Sequence, residues 1–230
     1  NTISTVVTDT SGQYQFLNVG PLSGTAQYIV SEATRSGWTR TFNDVGYYVV
    51  VPTSGKDLAG VFGAGKGETG STGNFGNMRT EAAIALGGYK WEDLNGDGIP
   101  NDDALQLSGW EIVLSDTMGN TLTTGVTDDN GDWSINPSLS LGTVYIISET
   151  LQDGWSQTKP SPLSPVVGKY KVIATMGSNG EEVTVWIDSN GNNVLDGSES
   201  KVEVPASDID FGNFHNFDIS GYKWLDQDGD

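Results

Sequence analysis

The sequence predicts an all-β chain of tandem antiparallel β-sandwiches, and three observations carry that prediction. Apolar and polar residues alternate with period two over short stretches, as in strands with one buried face. Turn clusters such as "DDNGD" separate these stretches, in a chain holding 31 Gly and 8 Pro. Long segments also recur in the same order, so one strand-rich unit is spelled more than once.

The repeat sets the domain organisation. "NTISTVVTDTSGQYQF" from Asn1 matches "NTLTTGVTDDNGDWSI" from Asn120, and "YIVSEATRSGWTRT" matches "YIISETLQDGWSQT". "NFGN" at Asn74 matches "DFGN" at Asp210, and "GYKWEDLNGD" at Gly88 matches "GYKWLDQDGD" at Gly221. Residues 1–87 are therefore a unit lacking its first strands, and 88–220 a complete unit. Residues 221–230 open a third with its first strand and a truncated loop. Within the complete unit Trp110, Ile112 and Leu114 share a face; so do Tyr145, Ile147 and Glu149, and Ile209, Phe211 and Asn213. "TEAAIAL" (80–86) is the one helix-like stretch and reads equally as linker or strand. The opening Asn1 points to an internal or processed piece. No signal peptide opens the chain, and no apolar run is long enough to cross a bilayer.

Charge and composition exclude several function classes. Thirty acidic against 11 basic residues give a net charge of −19, which repels a nucleic-acid backbone. The acids gather in Asn/Gly-rich loops rather than in a tail, which points to cation binding. With no cysteine there is no disulfide, zinc-thiolate site or thiol nucleophile.

The loop "DSNGNNVLDGSES" gives the cation a chemistry. Asp188, Asn190, Asn192, Asp196 and Glu199 stand at positions 1, 3, 5, 9 and 12 of a twelve-residue calcium loop. Val194 would add a backbone carbonyl, Glu199 a bidentate carboxylate, and Asn193 replaces the usual turn Gly. A plain polar hairpin turn would explain Asn-Gly but not Asp196 and Glu199. A second loop, "DLNGDGIPNDDA", offers Asp93, Asn95, Asp97 and the Ile99 carbonyl. Its twelfth position is Ala104, so Asp102 or Asp103 must supply the closing acid. "DQDGD", with Asp226, Asp228 and Asp230, is the same loop cut short. The first unit has only "GAGKGETGSTGN" there. Its Gly60–Lys66 run fits the start of a phosphate loop but lacks the following Ser or Thr, so an inter-strand loop is expected.

Together, "GYKWEDLNGDGIPNDD", "LSGWEIVLSD", "TDDNGDW", "VYIISE", "DGWSQT" and "DFGN" resemble the B domains of serine-aspartate-repeat surface proteins. Those belong with the collagen-adhesin B-type, prealbumin-like (Ig-like) sandwiches. The resemblance covers most of both units. It implies tandem extracellular modules, often calcium-binding, of prokaryotic surface proteins. It also implies a candidate cross-link, because collagen-adhesin-type domains often join a first-strand Lys to a last-strand Asn beside an acid. Here those residues are Lys90, Asn213 and Glu149. Parity puts Glu149 and Asn213 on apolar faces but leaves Lys90 ambiguous between Tyr89 and Trp91. A solvated Lys, an outward Glu and a turn Asn remain the alternative. The first unit keeps Glu32 and Asn77 without a first-strand Lys, and Lys223 sits on the orphan strand. One reading of the cut is a piece taken from an array. Alternatively, the last strand of one subunit completes the open unit of the next, in a head-to-tail filament.

Two rivals fit less well. An enzyme would have to use the sole His, His215, with no Ser-centred motif near it, or one of many carboxylate pairs. A carbohydrate-binding module could use seven Trp and eight Tyr as stacking platforms. Trp91 and Trp224, and Trp38 and Trp155, recur at repeat positions, which suits packing better. The expected function is a non-enzymatic, calcium-stiffened module of an extracellular filament, stalk or adhesin, with neighbouring repeats, identical subunits or a surface or glycan ligand as partners.

Overall fold

A computed structural model describes residues 2–23, 26–42, 45–50, 54, 61–63, 73–100, 104–160, 168–177, 180–188, 191–197, 199, 201–202, 208–225 and 227. Every element assigned among them is a strand, and the chain divides into compact units Asn1–Thr80 and Glu81–Asp230. That boundary falls earlier than the Gly88 start of the repeat. The reason lies in packing: Ala82, Ile84 and Leu86 are buried in the core of unit 2. Within "TEAAIAL", Glu81–Ala83 are therefore strand and Leu86 opens the next one, the alternation of the stretch buried against that core rather than wound into a helix.

Unit 1 contains β1 (Tyr28–Ser31), β2 (Trp38–Phe42), β3 (Tyr47–Val50), β4 (Val61–Gly63) and β5 (Gly76–Arg79). β3 lies between β1 and β4 in one sheet, and β2 pairs with β5 in another, all antiparallel. Its interior is thin. Among the described residues Tyr48 is its one buried hydrophobic side chain, edge-on to Phe75.

Unit 2 runs through β6 (Glu81–Ala83), β7 (Leu86–Glu92), β8 (Leu105–Gln106), β9 (Glu111–Asp116) and β10 (Thr121–Val126). It continues with β11 (Asp132–Ile135), β12 (Ser138–Ser140), β13 (Val144–Glu149) and β14 (Trp155–Lys159). β15 (Lys169–Gly177), β16 (Gly180–Trp186), β17 (Lys201–Val202) and β18 (Phe211–His215) complete it. One sheet has the order β10-β9-β13-β15-β16-β17, and the other β11-β7-β18-β14 with β8 beside β7. Ile112, Leu114, Tyr145, Ile147, Tyr170 and Val172 from the first sheet meet Leu86, Trp133 and Phe211 from the second. Alternate residues point inward, as period two requires, and each such side chain adds about 1.5–3 kcal/mol when fully buried.

β7 and the last strand, β18, are neighbours and run parallel, with Phe211, Gly212 and Asn213 opposite Lys90, Trp91 and Glu92. Glycines permit the close approach. A Cβ on Gly212 would stand 2.7 Å from the Trp91 ring, and one on Gly88 would stand 2.1 Å from the Ile209 carbonyl oxygen. Gly88→Ala is therefore expected to destabilise unit 2 by about 2 kcal/mol or more through overpacking. Denaturant titration of the variant against the parent measures this, and equal midpoints would refute the close packing.

Candidate metal loops and a buried lysine–asparagine–glutamate cluster

Each candidate loop follows a strand end and is organised by its first aspartate. After β7, Asp93 is buried, and its carboxylate accepts hydrogen bonds from the amides of Gly96 (2.8 Å) and Gly98 (2.6 Å). After β16, Asp188 is buried in the same way and accepts from Gly191 (2.7 Å) and Asn193 (2.8 Å). The offsets are identical, three and five residues ahead. Later positions match too. Asn95 and Asp97 accept from the amides of Asp97 and Ile99, and Asn192 accepts from that of Val194. Position six needs a left-handed backbone, supplied by Gly98 (φ 76°) and by Asn193 (φ 59°).

Burial opposes ionisation of Asp93, but the Thr158 hydroxyl and the loop amides outweigh it and hold the carboxyl below its usual range. Asp188 is lowered likewise: burial resists, while the amides of Asn193 and Gly191, contact with Glu199 and the charge of Lys171 prevail. Asn192 Nδ2 reaches Asp196 (3.2 Å), and the Glu199 amide donates to the Asp196 carbonyl at 3.2 Å. Among the described residues no three carboxylate or imidazole side chains gather closely enough to hold a metal. Asn190, Asp102, Asp103, Asp226, Asp228 and Asp230 lie outside the described residues, as does most of the Gly60–Lys66 run. The donor chemistry and the turn backbone nonetheless fit a hard, oxygen-seeking cation.

Sequence reasoning missed Lys171. Its ammonium donates to Asn193 Oδ1 and stands 3.9 Å from Asp188 Oδ2. Burial lowers its pKa, against the pull of Asp188 and Glu199. Period two placed Lys171 opposite the core-facing Tyr170 and Val172. Only pairing of Lys171 with Trp186, two residues before Asp188, brings the loop over that face.

The second cluster lies inside the sandwich. Lys90 on β7, Glu149 on β13 and Asn213 on β18 come from three strands and two sheets, and all three side chains are excluded from water. Lys90 donates to Asn213 Oδ1, Asn213 Nδ2 donates to Glu149 Oε1 at 2.8 Å, and Lys90 Nζ lies 2.6 Å from Glu149 Oε2. The Trp110 ring covers the ammonium at 4.2 Å. The ambiguity over Lys90 is resolved inward: it shares the face of Gly88 and Leu86, while Trp91 is buried on the other side. Burial pushes the Lys90 amine down to about 8, although the charge and hydrogen bond of Glu149 pull upward.

The matching residues of unit 1 are only partly assembled. Asn77 is exposed on β5, and Glu32 lies 3.9 Å from Arg40 Nε. Lys223 is exposed. Of the residues held for rival functions, His215 stacks on Trp155 (4.5 Å), and Trp91, Trp110, Trp133 and Trp186 are buried as packing residues.

Comparison with known proteins places these features. The SdrD B-like domain model matches residues 84–164. The chain is 33% identical over 158 residues to serine-aspartate repeat-containing protein F of Staphylococcus epidermidis, covering 69% of this chain and 9% of that protein. It is 32% identical over 157 residues to a fibrinogen-binding protein of the same species, covering 68% of this chain and 14% of that protein. Among solved structures, the minor pilin GBS52 of Streptococcus agalactiae is similar at 13% identity and a TM-score of 0.31, over 79% of this chain and 63% of that one. The chain thus spans a small part, 9% to 14%, of these curated relatives. Residues 84–164 therefore form an SdrD B-like domain, and the chain is similar to a part of serine-aspartate-repeat surface proteins.

Proposed function

We propose that this stretch is a stiff structural module of an extracellular adhesin, stalk or fibre, stabilised by calcium in its loops and by a Lys90–Asn213 bond in its core. The observation that carries the reading is the Lys90–Glu149–Asn213 cluster, because it clasps β7 to the last strand, β18. Tension along the chain enters at β7 and leaves at β18. As parallel neighbours those strands are loaded in shear, so their ladder bonds and the side-chain clasp resist together.

Asn213 and Lys90 are placed for amide exchange. The neutral Lys90 amine attacks Asn213 Cγ, a new Nζ–Cγ bond forms, and the Cγ–Nδ2 bond breaks. Glu149, in contact with both nitrogens, carries a proton from Nζ to Nδ2, which leaves as ammonia. Burial favours the neutral amine, which is the reactive form. Calcium, where bound, neutralises the crowded acids: Asp93, Asn95, Asp97 and the Ile99 carbonyl would hold one ion, and Asp188, Asn192, Val194, Asp196 and Glu199 another. Surface attachment and any ligand of the longer protein belong to the same proposal, by likeness to relatives of which one is named a fibrinogen-binding protein.

Three measurements check it. The intact mass should fall short of the sequence mass by one ammonia, and Lys90→Met or Asn213→Ala should restore it; a full-length mass in the parent would refute the bond. Calcium, and not magnesium, should raise the melting temperature, by roughly 3 kcal/mol of stability at about a hundred times Kd. Asp188→Ala and Asp97→Ala should each remove part of that gain, and an unmoved melting curve would sink the calcium reading. In unlinked Asn213→Ala, the buried amine titrates near 8 when folded against 10.5 when exposed. Between those values the unfolded chain binds the extra proton, so stability should rise with pH from about 8 to 10.5. A flat profile across that window would contradict the burial of Lys90.

A further inference from the structure

The two candidate loops share a backbone but not a charge. Each starts two residues after a buried tryptophan, Trp91 before Asp93 and Trp186 before Asp188. The strand partners of Trp91 include Gln106 on β8 and Gly212 on β18, neither of them charged. Those of Trp186 are Lys171 on β15 and Lys201 on β17. Lys201 is exposed, whereas the Lys171 side chain is 4% exposed. Among the described residues no lysine or arginine forms an ion pair with Asp93 or Asp97. Lys159, next in sequence to the Thr158 that bonds Asp93, is engaged elsewhere. It stands 3.4 Å from Asp210 Oδ2 and 5.2 Å from the centre of the Trp91 ring.

Lys171 is seated inside the second loop. Its ammonium donates to Asn193 Oδ1 and lies 3.9 Å from Asp188 Oδ2, the oxygen that also accepts from the Asn193 amide. Asp188 and Glu199 attract it, while Lys169, two residues back on the same strand, repels it.

The residue that seats the ammonium is the one by which the loops differ at position six. The backbone is left-handed there in both, at Gly98 (φ 76°) and at Asn193 (φ 59°). A Cβ on Gly98 would stand 2.9 Å from the Thr158 carbonyl oxygen, so the first loop has no room for an amide side chain. Glycine suits such a backbone better than asparagine does. Asn193 gives up that ease and supplies the acceptor that Lys171 uses.

A buried ammonium and a buried carboxylate must stay paired, because either one alone is strongly disfavoured out of water. Lys171 therefore brings one fixed positive charge to a loop that carries Asp188, Asp196 and Glu199. A divalent cation entering that loop meets a like charge already held near its first ligand.

We propose that the Lys171 ammonium is the resident cation of the Asp188 loop, with Asn193 as its seat. The loop then keeps its fold without metal and takes calcium weakly, by displacing the ammonium. The Asp93 loop has no such substitute and is the tighter, calcium-dependent site. The displacement rests on the calcium reading above; the resident cation does not.

Equilibrium dialysis of the 230-residue protein against calcium, with amide hydrogen exchange in chelator, tests both parts. Asp97→Ala silences the first loop, so the second can be titrated alone. In that background Lys171→Met, which keeps the apolar stem and removes the charge, should tighten calcium binding by roughly tenfold or more. Asn193→Gly removes the seat, suits the backbone, and should shift affinity in the same direction. In chelator the Gly191 and Asn193 amides of the parent should exchange slowly and those of Gly96 and Gly98 fast. Lys171→Met should make the first pair fast as well.

Calcium affinity at the Asp188 loop that is unchanged or weaker in both variants overturns the displacement and leaves the calcium reading standing. Calcium bound by neither parent nor variant removes the calcium reading, and the displacement with it. Equal exchange at the two loops in chelator, or exchange that Lys171→Met leaves unmoved, overturns the resident cation. So does a parent mass short of a second ammonia that Lys171→Met restores, because the amine would then be bonded to Asn193 and unable to leave. Should Lys171→Met fail to fold, Asn193→Gly decides alone.

Discussion

Taking an ammonium and a carboxylate out of water costs several kcal/mol each, and unit 2 places both at its centre. Lys90 and Glu149 recover that cost only while three strands from two sheets hold them together with Asn213. The registers of β7, β13 and β18 are therefore coupled. A slip of β7 or β13 by a single residue would turn its charged member to the opposite face and leave the other charge buried without its partner, and a slip of β18 would remove the amide that bonds both. A hydrophobic core of the same volume would tolerate such a slip better, so the cluster specifies the pairing that the apolar contacts stabilise. In the proposed amide the lysine nitrogen is neutral and, once ammonia has left, the proton of the former ammonium rests on Glu149, so neither group remains a buried charge.

Much of this was legible in the residues. Period two put Ile112, Leu114, Ile147, Ile209 and Phe211 inward, and they form the core. The offsets from Asp93 and Asp188 pointed to calcium loops; in the structure both aspartates accept from the amides three and five residues ahead, and the cation itself belongs to the proposal. Two things were hidden, both because they depend on pairing between distant segments. The direction of Lys90 could not be read locally, since β7 is buried on both faces and alternation carries no sign there. The place of Lys171 depended on where the Asp188 loop would fold. The start of unit 2 moved for a similar reason: β6 pairs with β12, more than fifty residues away, and the repeat itself has no term for that contact.

The described interiors of the two units differ. They share the β-ladder at Trp38 and Trp155, down to its irregular step, yet unit 2 has a continuous core and unit 1 has a small aromatic cluster. A central strand with two buried faces completes both the hydrogen-bond ladder and the apolar layer.

The parallel course of β7 and β18 also fixes how far the chain travels. A strand rises about 3.3 Å per residue, and an antiparallel return would bring the chain back to the end it entered. Here the path enters unit 2 at one end of the sandwich and leaves at the opposite end. Between β7 and β18, unit 2 therefore carries the chain forward along the strand direction instead of doubling it back.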